Sequence, residues 1–311
     1  MDRKRFVFKT RSHEFQLGSR TLVVGIVNVT PDSFSDGGQY FEPDRAAARA
    51  LELEEQGADI VDIGAESTRP GSTRITEEEE IRRLVPVLKR LRNKLTVPIS
   101  VDTYKSGVAV RALELGAEII NDPSALTYDP QMAKIVMQAN AGLILNHMRG
   151  TPETWAKLAP MPDPVATILV ELLASIHRAR RDGVEGLRIV VDPGLGFGKR
   201  KEENFRIIAE LHRLAKLEAP ILLGPSRKRF LGDTQTEDLM PATVAAVTAA
   251  VLYGAHMVRV HDVPEALVAV RIADSILSAI PEPPDEEEPP PPQPPPPPKR
   301  EPVRFKPQEQ T

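Results

Sequence analysis

The chain has 311 residues, of which 41% are hydrophobic, and it carries a formal net charge of -4 at pH 7. This length is enough for one large α/β core, and the slightly acidic charge excludes a general basic field that would attract nucleic acid or a membrane surface. The chain contains no cysteine, which excludes disulfides, thiolate zinc sites and a cysteine nucleophile and fits a cytoplasmic protein. No apolar run reaches the roughly 18 residues of a membrane span, and no signal peptide is expected.

The N-terminal residues show a pattern typical of a short hairpin. Phe6 and Phe8 are two positions apart, as are Phe15 and Leu17. This spacing is the period of a β-strand. We therefore predict that residues 1–20 form a lead-in hairpin before the main domain.

Eight short apolar runs follow, and each ends in a cluster of polar, glycine or proline residues. The runs are 22–27, 60–63, 99–101, 118–120, 143–145, 188–191, 221–223 and 257–260. Helical patterns lie between them. Asp44 is predicted to cap one helix, and Thr76 with Glu79 forms a capping box for another. Glycines such as Gly57 stand where a helix is expected to stop.

The alternation of strand and helix predicts a parallel sheet. The number of strand–helix units and their span over residues 21–280 match an α/β fold of the (β/α)8 TIM barrel type. An open, doubly wound sheet is the alternative, and it would place ligands at a switch point served by only some of the loops. Polar groups follow almost every strand here, which favours the closed barrel.

The composition changes abruptly at residue 281. Residues 281–311 are rich in proline and charge and contain almost nothing to bury. We predict a disordered tail of polyproline II character. It is either a solvated segment or a docking site for an SH3-like or WW-like partner.

Three polar residues at strand ends suit a flat heterocycle with an N–H and amino edge. They are Asp102, Asn121 and Asp192, and the strand ends of a barrel meet at one mouth. A carboxylate accepts two parallel hydrogen bonds from such an edge, and burial makes a mismatched ligand costly. The alternative is that Asp102 and Asp192 only cap the helices that follow them.

A second set of residues suits an anion. Lys228, Arg259 and His261 lie near a helix start that follows Ser226, an arrangement suited to phosphate or diphosphate. Asn28 could ligate Mg²⁺ through its amide oxygen. The alternative is that the charge run 227–229 forms ordinary surface salt bridges.

Two glycine-rich loops, 30–41 and 66–74, are too long for tight turns and are predicted to be mobile lids over the mouth. Phe34 and Pro70 are apolar residues on these loops, and each either stacks on an aromatic co-substrate or packs within its own loop. In the segment DPGLGFGK, the glycines leave room for a planar ligand that Phe197 would cover.

The sequence shows no residue set typical of nucleophilic or metal-hydrolytic catalysis. No Ser–His–Asp order is evident, and no two histidines have the spacing of a metal motif. His147 is more typical of a packing residue than of a ligand. The sequence therefore predicts a reaction that joins two substrates or displaces one group by another, with a phosphate as the leaving group. Positioning of the substrates and stabilisation of charge would drive this reaction.

Seven motifs, in this order and spacing, resemble those of the dihydropteroate synthase family. They are NVTPDSFSDGG, DIGAESTRPGS, SVDTYKS, IINDPSAL, DPGLGFGK, GPSRKRFLG and RVHDV. The resemblance implies a pterin-binding (β/α)8 barrel and a Mg²⁺-dependent, commonly homodimeric transferase of folate biosynthesis. The family joins 6-hydroxymethyl-7,8-dihydropterin diphosphate to 4-aminobenzoate, releases diphosphate, and is the target of sulfonamides.

The resemblance also implies a role for each matching residue. The pterin diphosphate would be bound by Thr68, Asp102, Asn121, Asp192, Phe197, Lys228, Arg259 and His261. The aminobenzoate site would be formed by Phe34, Arg69, Pro70 and Arg229. Catalysis would depend on Asp36, Lys228 and Arg259, with Asp36 stabilising a cationic pterin after its C–O bond breaks. Asn28 would hold Mg²⁺ beside the diphosphate.

Four positions depart from the family pattern. Asn146 stands where methionine often packs on the pterin, Ala65 where a second glycine is usual, Pro123 where an aliphatic residue is usual, and Arg229 where serine is frequent. Arg229 would then bring a guanidinium to the aminobenzoate carboxylate.

Two other functions stay open from the sequence. A pterin-binding methyltransferase would bind methyltetrahydrofolate and pass a methyl group to a corrinoid partner, but it needs neither a diphosphate site nor an aminobenzoate lid. The second of these functions is that of a non-catalytic folate-binding or scaffold protein that is recruited by the tail. The presence of Asp36, Lys228 and Arg259 argues against it.

Overall fold

The first described element is an antiparallel hairpin. The computed structural model describes residues 3–29, 43–67, 71–232 and 239–280. Strands β1 (Phe6–Lys9) and β2 (Glu14–Leu17) pair so that Phe6 lies opposite Leu17 and Phe8 opposite Phe15. The predicted hairpin is confirmed.

Eight parallel strands in the described part of the chain form a closed barrel. They are β3 (Leu22–Asn28), β4 (Ile60–Gly64), β5 (Ile99–Asp102), β6 (Ile119–Asp122), β7 (Gly142–Asn146), β8 (Ile189–Asp192), β9 (Leu222–Leu223) and β10 (Met257–Val260). Their order is β8-β7-β6-β5-β4-β3-β10-β9, and a bridge between Val191 and Ile221 joins the two ends. This closure confirms the (β/α)8 barrel and excludes the open doubly wound sheet.

A helix follows each barrel strand within the described residues. The helices are α1 (Pro43–Glu55), α2 (Glu77–Leu91), α3 (Ser106–Glu114), α4 (Met132–Gln138), α5 (Pro164–Arg181), α6 (Lys201–Ala209), α7 (Leu239–Leu252) and α8 (Val263–Ser278). None of the described helices is both long enough and apolar enough to cross a membrane.

The two predicted helix starts have different outcomes. At α2, Thr76 accepts a hydrogen bond from the Glu79 N–H at 3.3 Å, which confirms the cap. The Glu79 carboxylate does not complete the box, because it binds Arg82 at 2.7 Å instead. At α1, Asp44 lies inside the first turn and pairs with Arg90 at 2.6 Å, so its prediction as a cap was wrong.

The hairpin closes the amino-terminal end of the barrel. Phe8 and Leu17 are buried against inward-facing strand residues of the lowest layer. That layer consists of Leu22, Val24, Ile60, Ile119, Ile144, Val190, Leu222 and Met257. Polar contacts hold the hairpin in place: Arg3 pairs with Asp274 at 2.9 Å, and Thr10 donates to Glu118 at 2.6 Å.

The inward face of the barrel changes from apolar to polar along the strands. Successive inward side chains are two residues apart. Along β4 the step from Ile60 leads to Asp62, and along β8 the step from Val190 leads to Asp192. Equivalent steps lead to Asn121 on β6, Asn146 on β7 and Arg259 on β10. The polar layer therefore lies directly above the apolar layer, toward the carboxyl ends of the strands.

Candidate active site

The carboxyl ends of the strands enclose a polar pocket. Its lining residues are Asp102, Asn121, Pro123, Asn146, Asp192, Leu195, Phe197, Gly224, Lys228 and Arg259. Asp102 and Asn121 are opposite each other in the ladder between β5 and β6. The three residues predicted to read a heterocycle edge are thus brought together, and Phe197, Lys228 and Arg259 join them.

A network of charged and amide side chains lies at the base of this pocket. Arg259 Nε donates to Asp62 Oδ2 at 2.6 Å, and its Nη2 donates to Asp102 Oδ2 at 2.9 Å. Asn121 Nδ2 donates to the same Asp62 oxygen at 3.2 Å. Asp62 is fully buried, so one enclosed carboxylate orients both a cation and an amide of the pocket.

The sequence places Asp62 among the polar strand-end residues of the barrel mouth, but in neither of the two predicted binding sets. The available signal was its place inside the apolar run IVDIG. A carboxylate in a buried strand is stable only when it is paired and hydrogen-bonded. Its partner could not be named, because Arg259 lies 197 positions away in the chain.

Asp192 is held by the loop that follows its own strand. The Gly194 N–H donates to Asp192 Oδ1 at 2.7 Å. Gly194 has a φ of +68°, and a Cβ there would lie 1.9 Å from the His147 carbonyl oxygen, so only glycine fits. Helix α6 is capped by Glu203, which accepts from the Arg200 N–H at 2.7 Å. Asp192 is therefore a pocket residue and not a helix cap.

Asp102 is not a helix cap either. The Ser106 N–H at the start of α3 donates to Asp129 Oδ2 at 3.0 Å. Asp102 instead accepts from Arg259 and lines the pocket. The helix-cap alternative is therefore excluded for both carboxylates.

Burial changes the pKa of the ionisable groups that line the pocket. Loss of hydration raises the pKa of Asp102 to about 7, although the positive charge of Arg259 opposes this. Loss of hydration raises the pKa of Asp192 to about 6, against the hydrogen bond from Gly194. It also lowers the pKa of Lys228 to about 8, and Arg259 lowers it further. Small changes around neutral pH therefore alter the charge of this pocket.

Phe197 forms an aromatic wall of the pocket. Its ring packs edge-on against Trp155, with ring centroids 5.7 Å apart. Lys228 Nζ lies 4.4 Å from the centre of the Phe197 ring, in cation–π range. The aromatic ring of Phe197 and the ammonium group of Lys228 therefore lie side by side in the pocket lining.

Lys199 is a half-buried cation whose role could not be predicted from the sequence. Its ammonium donates to three backbone carbonyl oxygens: those of His147 at 2.9 Å, Gly194 at 2.8 Å and Phe197 at 3.2 Å. Burial lowers the pKa of Lys199 to about 7. These contacts tie the glycine-rich loop to the end of β7. The glycine-rich loop after β8 was the available signal in the sequence. Its buried backbone carbonyl oxygens require hydrogen-bond donors, and Lys199 is one such donor.

His147 lies outside the pocket lining. It is buried, and its Nε2 is 2.8 Å from Glu171 Oε2. Burial lowers the pKa of His147 to about 4, and Lys199 contributes to this shift. The neutral imidazole acts as a packing residue behind the pocket, as the sequence favoured.

The residues predicted to bind an anion lie in two places. Lys228 and Arg259 line the pocket. His261 lies between two other side chains: its Nδ1 is 3.0 Å from Ser226 Oγ, and its Nε2 is 3.3 Å from Asn28 Nδ2. A single diphosphate site that uses all of them stays a prediction.

The remaining predicted residues lie outside the pocket lining or outside the described residues. Arg229 is exposed. Arg227 pairs with Asp262 at the surface, so the salt-bridge alternative holds for this member of the charge run. The predicted residues Phe34, Asp36, Thr68, Arg69 and Pro70 lie outside the described residues, as does the tail 281–311.

A buried cluster fixes the chain just before residues 68–70. The Tyr104 hydroxyl donates to Glu66 Oε1 at 2.6 Å, and Lys105 bridges Glu66 and Glu80. Burial raises the pKa of Glu80, against the charge of Lys105. This cluster could not be predicted from the sequence, because its members come from separate loops and helices.

The profile of the pterin binding enzyme family matches residues 24–261. The chain belongs to this family. The match begins within β3 and ends at His261, directly after β10.

Two curated relatives of this pterin binding enzyme show the extent of the similarity. Dihydropteroate synthase of Bacillus subtilis is 40% identical over 275 residues, which cover 88% of this chain and 94% of the relative. The folate synthesis bifunctional protein of Arabidopsis thaliana is 40% identical over 284 residues, which cover 86% of this chain and 59% of the relative. The chain therefore spans little more than half the length of that bifunctional relative.

A solved structure supports the same fold. Dihydropteroate synthase from Xanthomonas albilineans in complex with 7,8-dihydropteroate has a TM-score of 0.78 and 37% identity, covering 88% of this chain and 100% of that one. This pterin binding enzyme therefore has the same barrel fold as a relative that was solved with 7,8-dihydropteroate.

Proposed function

We propose that this pterin binding enzyme is a dihydropteroate synthase. It joins 6-hydroxymethyl-7,8-dihydropterin diphosphate to 4-aminobenzoate and releases diphosphate, a step of folate biosynthesis. The observation that carries the proposal is the convergence of Asp102, Asn121 and Asp192 with Lys228 in one pocket at the carboxyl ends of the strands. The relative that the chain covers almost completely carries the same name.

The pocket is suited to the edge and face of a pterin. Asp102 and Asp192 offer carboxylate oxygens to the N–H and amino groups of the ring. Asn121 offers its amide oxygen, because its amide nitrogen is already bound to Asp62. Lys228 provides donors, and the Phe197 ring provides an apolar surface for the flat heterocycle.

The same residues can stabilise the charges that develop during transfer. The C–O bond between the pterin methylene and the diphosphate breaks, and the diphosphate leaves with the electron pair. The amine of 4-aminobenzoate forms the new C–N bond and loses a proton. Positive charge on the pterin is stabilised by Asp102 and Asp192 inside the barrel. We propose that Asp36 adds to this stabilisation. Lys228 and Arg259 stabilise negative charge.

Magnesium is part of the proposal. No group of three or more His, Cys, Asp or Glu side chains in the described ranges could hold a metal ion. Mg²⁺ commonly uses one or two protein oxygens together with water and substrate phosphates. Asn28 fits this role, because it ends β3 and carries an amide oxygen of the kind that Mg²⁺ binds, while its Nδ2 faces His261 at 3.3 Å. The bound ion would neutralise the leaving diphosphate.

The proposal also includes a homodimer formed through α8. Val268, Ile272 and Ile276 are 60%, 57% and 47% exposed and lie four residues apart. This spacing places them in one stripe along the helix. An exposed apolar stripe is typical of an interface, and a two-fold axis would cover it with the same stripe of a second copy.

We expect Ile272→Glu to convert the dimer to a monomer. A charge in the centre of an apolar interface would have to be buried without a partner, which is strongly unfavourable. Sedimentation equilibrium measures the mass directly. Arg271→Ala is the matched control, because Arg271 is the exposed neighbour of Ile272 and lies off the stripe. A wild-type monomer, or a variant that remains dimeric, would refute this interface.

We expect kcat/KM to have a bell-shaped dependence on pH. The acidic limb should lie near pH 6 to 7, because protonation removes acceptors from Asp192 and Asp102. The basic limb should lie near pH 8, because Lys228 then loses its charge. Initial rates measured from about pH 5 to about pH 10 test this. In Lys228→Arg the basic limb should move upward, because arginine stays protonated. An unchanged basic limb would assign that limb to another group.

The function is tested by incubating the full chain with the dihydropterin diphosphate, 4-aminobenzoate and Mg²⁺. Dihydropteroate is then detected by mass spectrometry. Product that disappears with EDTA and falls with a sulfonamide competitor is the expected result. Pterin binding without product would instead support the methyltransferase or binding-protein alternatives. The cytoplasmic location and a partner for the tail remain predictions.

A further inference from the structure

The pocket contains a second asparagine whose place in recognition has not been assigned. Asn146 ends β7 and lines the pocket between the Asp102 and Asp192 sides. It is 4% exposed, so a ligand in the pocket would find its side chain already ordered. An amide at this position brings both a donor and an acceptor, and the geometry decides which of them faces the ligand.

The amide nitrogen of Asn146 is bound to the protein. Asn146 Nδ2 donates to the Pro123 carbonyl oxygen at 3.2 Å. The reverse orientation would place two carbonyl oxygens against each other, so the assignment of nitrogen and oxygen follows from the contact. The amide oxygen has no hydrogen-bond partner among the described residues and is not among their enclosed unpaired atoms. It lies beside Gly194, where a Cβ would be 3.1 Å from it, and it is the polar side-chain atom of Asn146 that is left for a ligand of the pocket.

Asn121 uses the same arrangement on the neighbouring strand. Its Nδ2 is bound to Asp62 at 3.2 Å, which leaves its oxygen for the ligand. The lining thus contains two amide oxygens beside the carboxylates of Asp102 and Asp192. Four acceptor side chains require a ligand edge with several N–H donors, because an unpaired acceptor in such a pocket costs binding energy.

We propose that Asn146 is a specificity-determining residue whose amide oxygen accepts a hydrogen bond from an N–H of the bound heterocycle. The inference deepens the proposed function and rests on it, because it takes the pterin as the ligand. A side chain of similar size without this oxygen would keep the shape of the pocket. It would lose the ability to distinguish a ring that carries the N–H from one that does not.

The experiment measures binding of 6-hydroxymethylpterin and of analogues that each lack one ring or amino N–H donor. Titration calorimetry is carried out on the wild-type full chain, on Asn146→Leu and on Asn146→Met. The wild type should bind at least one analogue about 2- to 10-fold more weakly than the parent, the usual effect of one hydrogen bond. Both variants should lose this discrimination for one analogue and retain it for the others.

Two controls separate the possible outcomes. Gln138→Leu removes an exposed amide at the end of α4 and should bind every ligand as the wild type does. Asn146→Met provides an unbranched, more flexible side chain if Asn146→Leu does not fold. Unchanged discrimination in a folded Asn146 variant would overturn the inference and leave the proposed function intact. A wild type that binds no pterin would overturn both.

Discussion

Lys228→Met is expected to lower kcat/KM by about 10²- to 10³-fold, the usual cost of removing one donor that stabilises transition-state charge. Lys228 lines the pocket, and its ammonium lies 4.4 Å from the centre of the Phe197 ring. Methionine keeps much of the length and the contact with the ring but removes the charge and the donors. Initial rates at varied concentrations of each substrate measure the effect.

The same substitution should not destabilise the fold. Burial lowers the pKa of Lys228 to about 8, which means that the protonated side chain is less stable in the protein than in water. Between this pKa and the unfolded value the unfolded chain binds more protons, so this group makes stability rise with pH there. At neutral pH, Lys228→Met should therefore keep or raise the free energy of unfolding. Lys201→Met, an exposed control, should change neither quantity. Wild-type activity in Lys228→Met would refute the assigned role.

Asp62→Ala is expected to lower the free energy of unfolding by about 3–5 kcal/mol, the range for removing one partner of a buried ion pair. Arg259 would lose the acceptor of its 2.6 Å contact, and Asn121 would lose the group that orients its amide. Pterin affinity should fall as well, because two lining residues share this one anchor. Urea unfolding measures the first effect and calorimetry the second.

Two further variants test whether the burial of Asp62 causes the expected loss of stability in Asp62→Ala. Glu114→Ala removes a carboxylate that is 53% exposed and paired with Arg111 at the surface. It should change the free energy of unfolding by no more than about 1 kcal/mol. Asp62→Asn keeps the volume and one acceptor and should lie between Asp62→Ala and the wild type. If Asp62→Ala were as stable and as active as Glu114→Ala, Asp62 would not be the anchor of the pocket.

The strands could be predicted because their signal is local. The run predicted at 143–145 is β7 at Gly142–Asn146, and the run at 118–120 is β6 at Ile119–Asp122. The observed strands extend into polar residues, since the hydrogen bonds of a ladder join backbone groups whatever the side chain. The extension matters, because Asn146 and Asn121 belong to the strands and not to flexible loops.

The partners of the charged residues could not be predicted in the same way. The sequence grouped Arg259 with Lys228 and His261 on charge alone. In the folded chain, Arg259 reaches across the barrel to Asp62 and Asp102. The strand pattern determines the face of the sheet on which a side chain lies. The rotamer of a long side chain depends in addition on the residues that the other strands place opposite it.

The amino-acid sequence by itself determined the order of strands and helices, the closed parallel barrel and the gathering of Asp102, Asn121 and Asp192 at its mouth. Apolar periodicity and chain direction are sufficient for these features. Only the tertiary structure decided that Asp62 anchors Arg259 and Asn121, and that Lys199 holds three carbonyls of one loop and strand end. These contacts join distant parts of the chain, and each polar group that loses contact with water takes the partner that the fold places beside it.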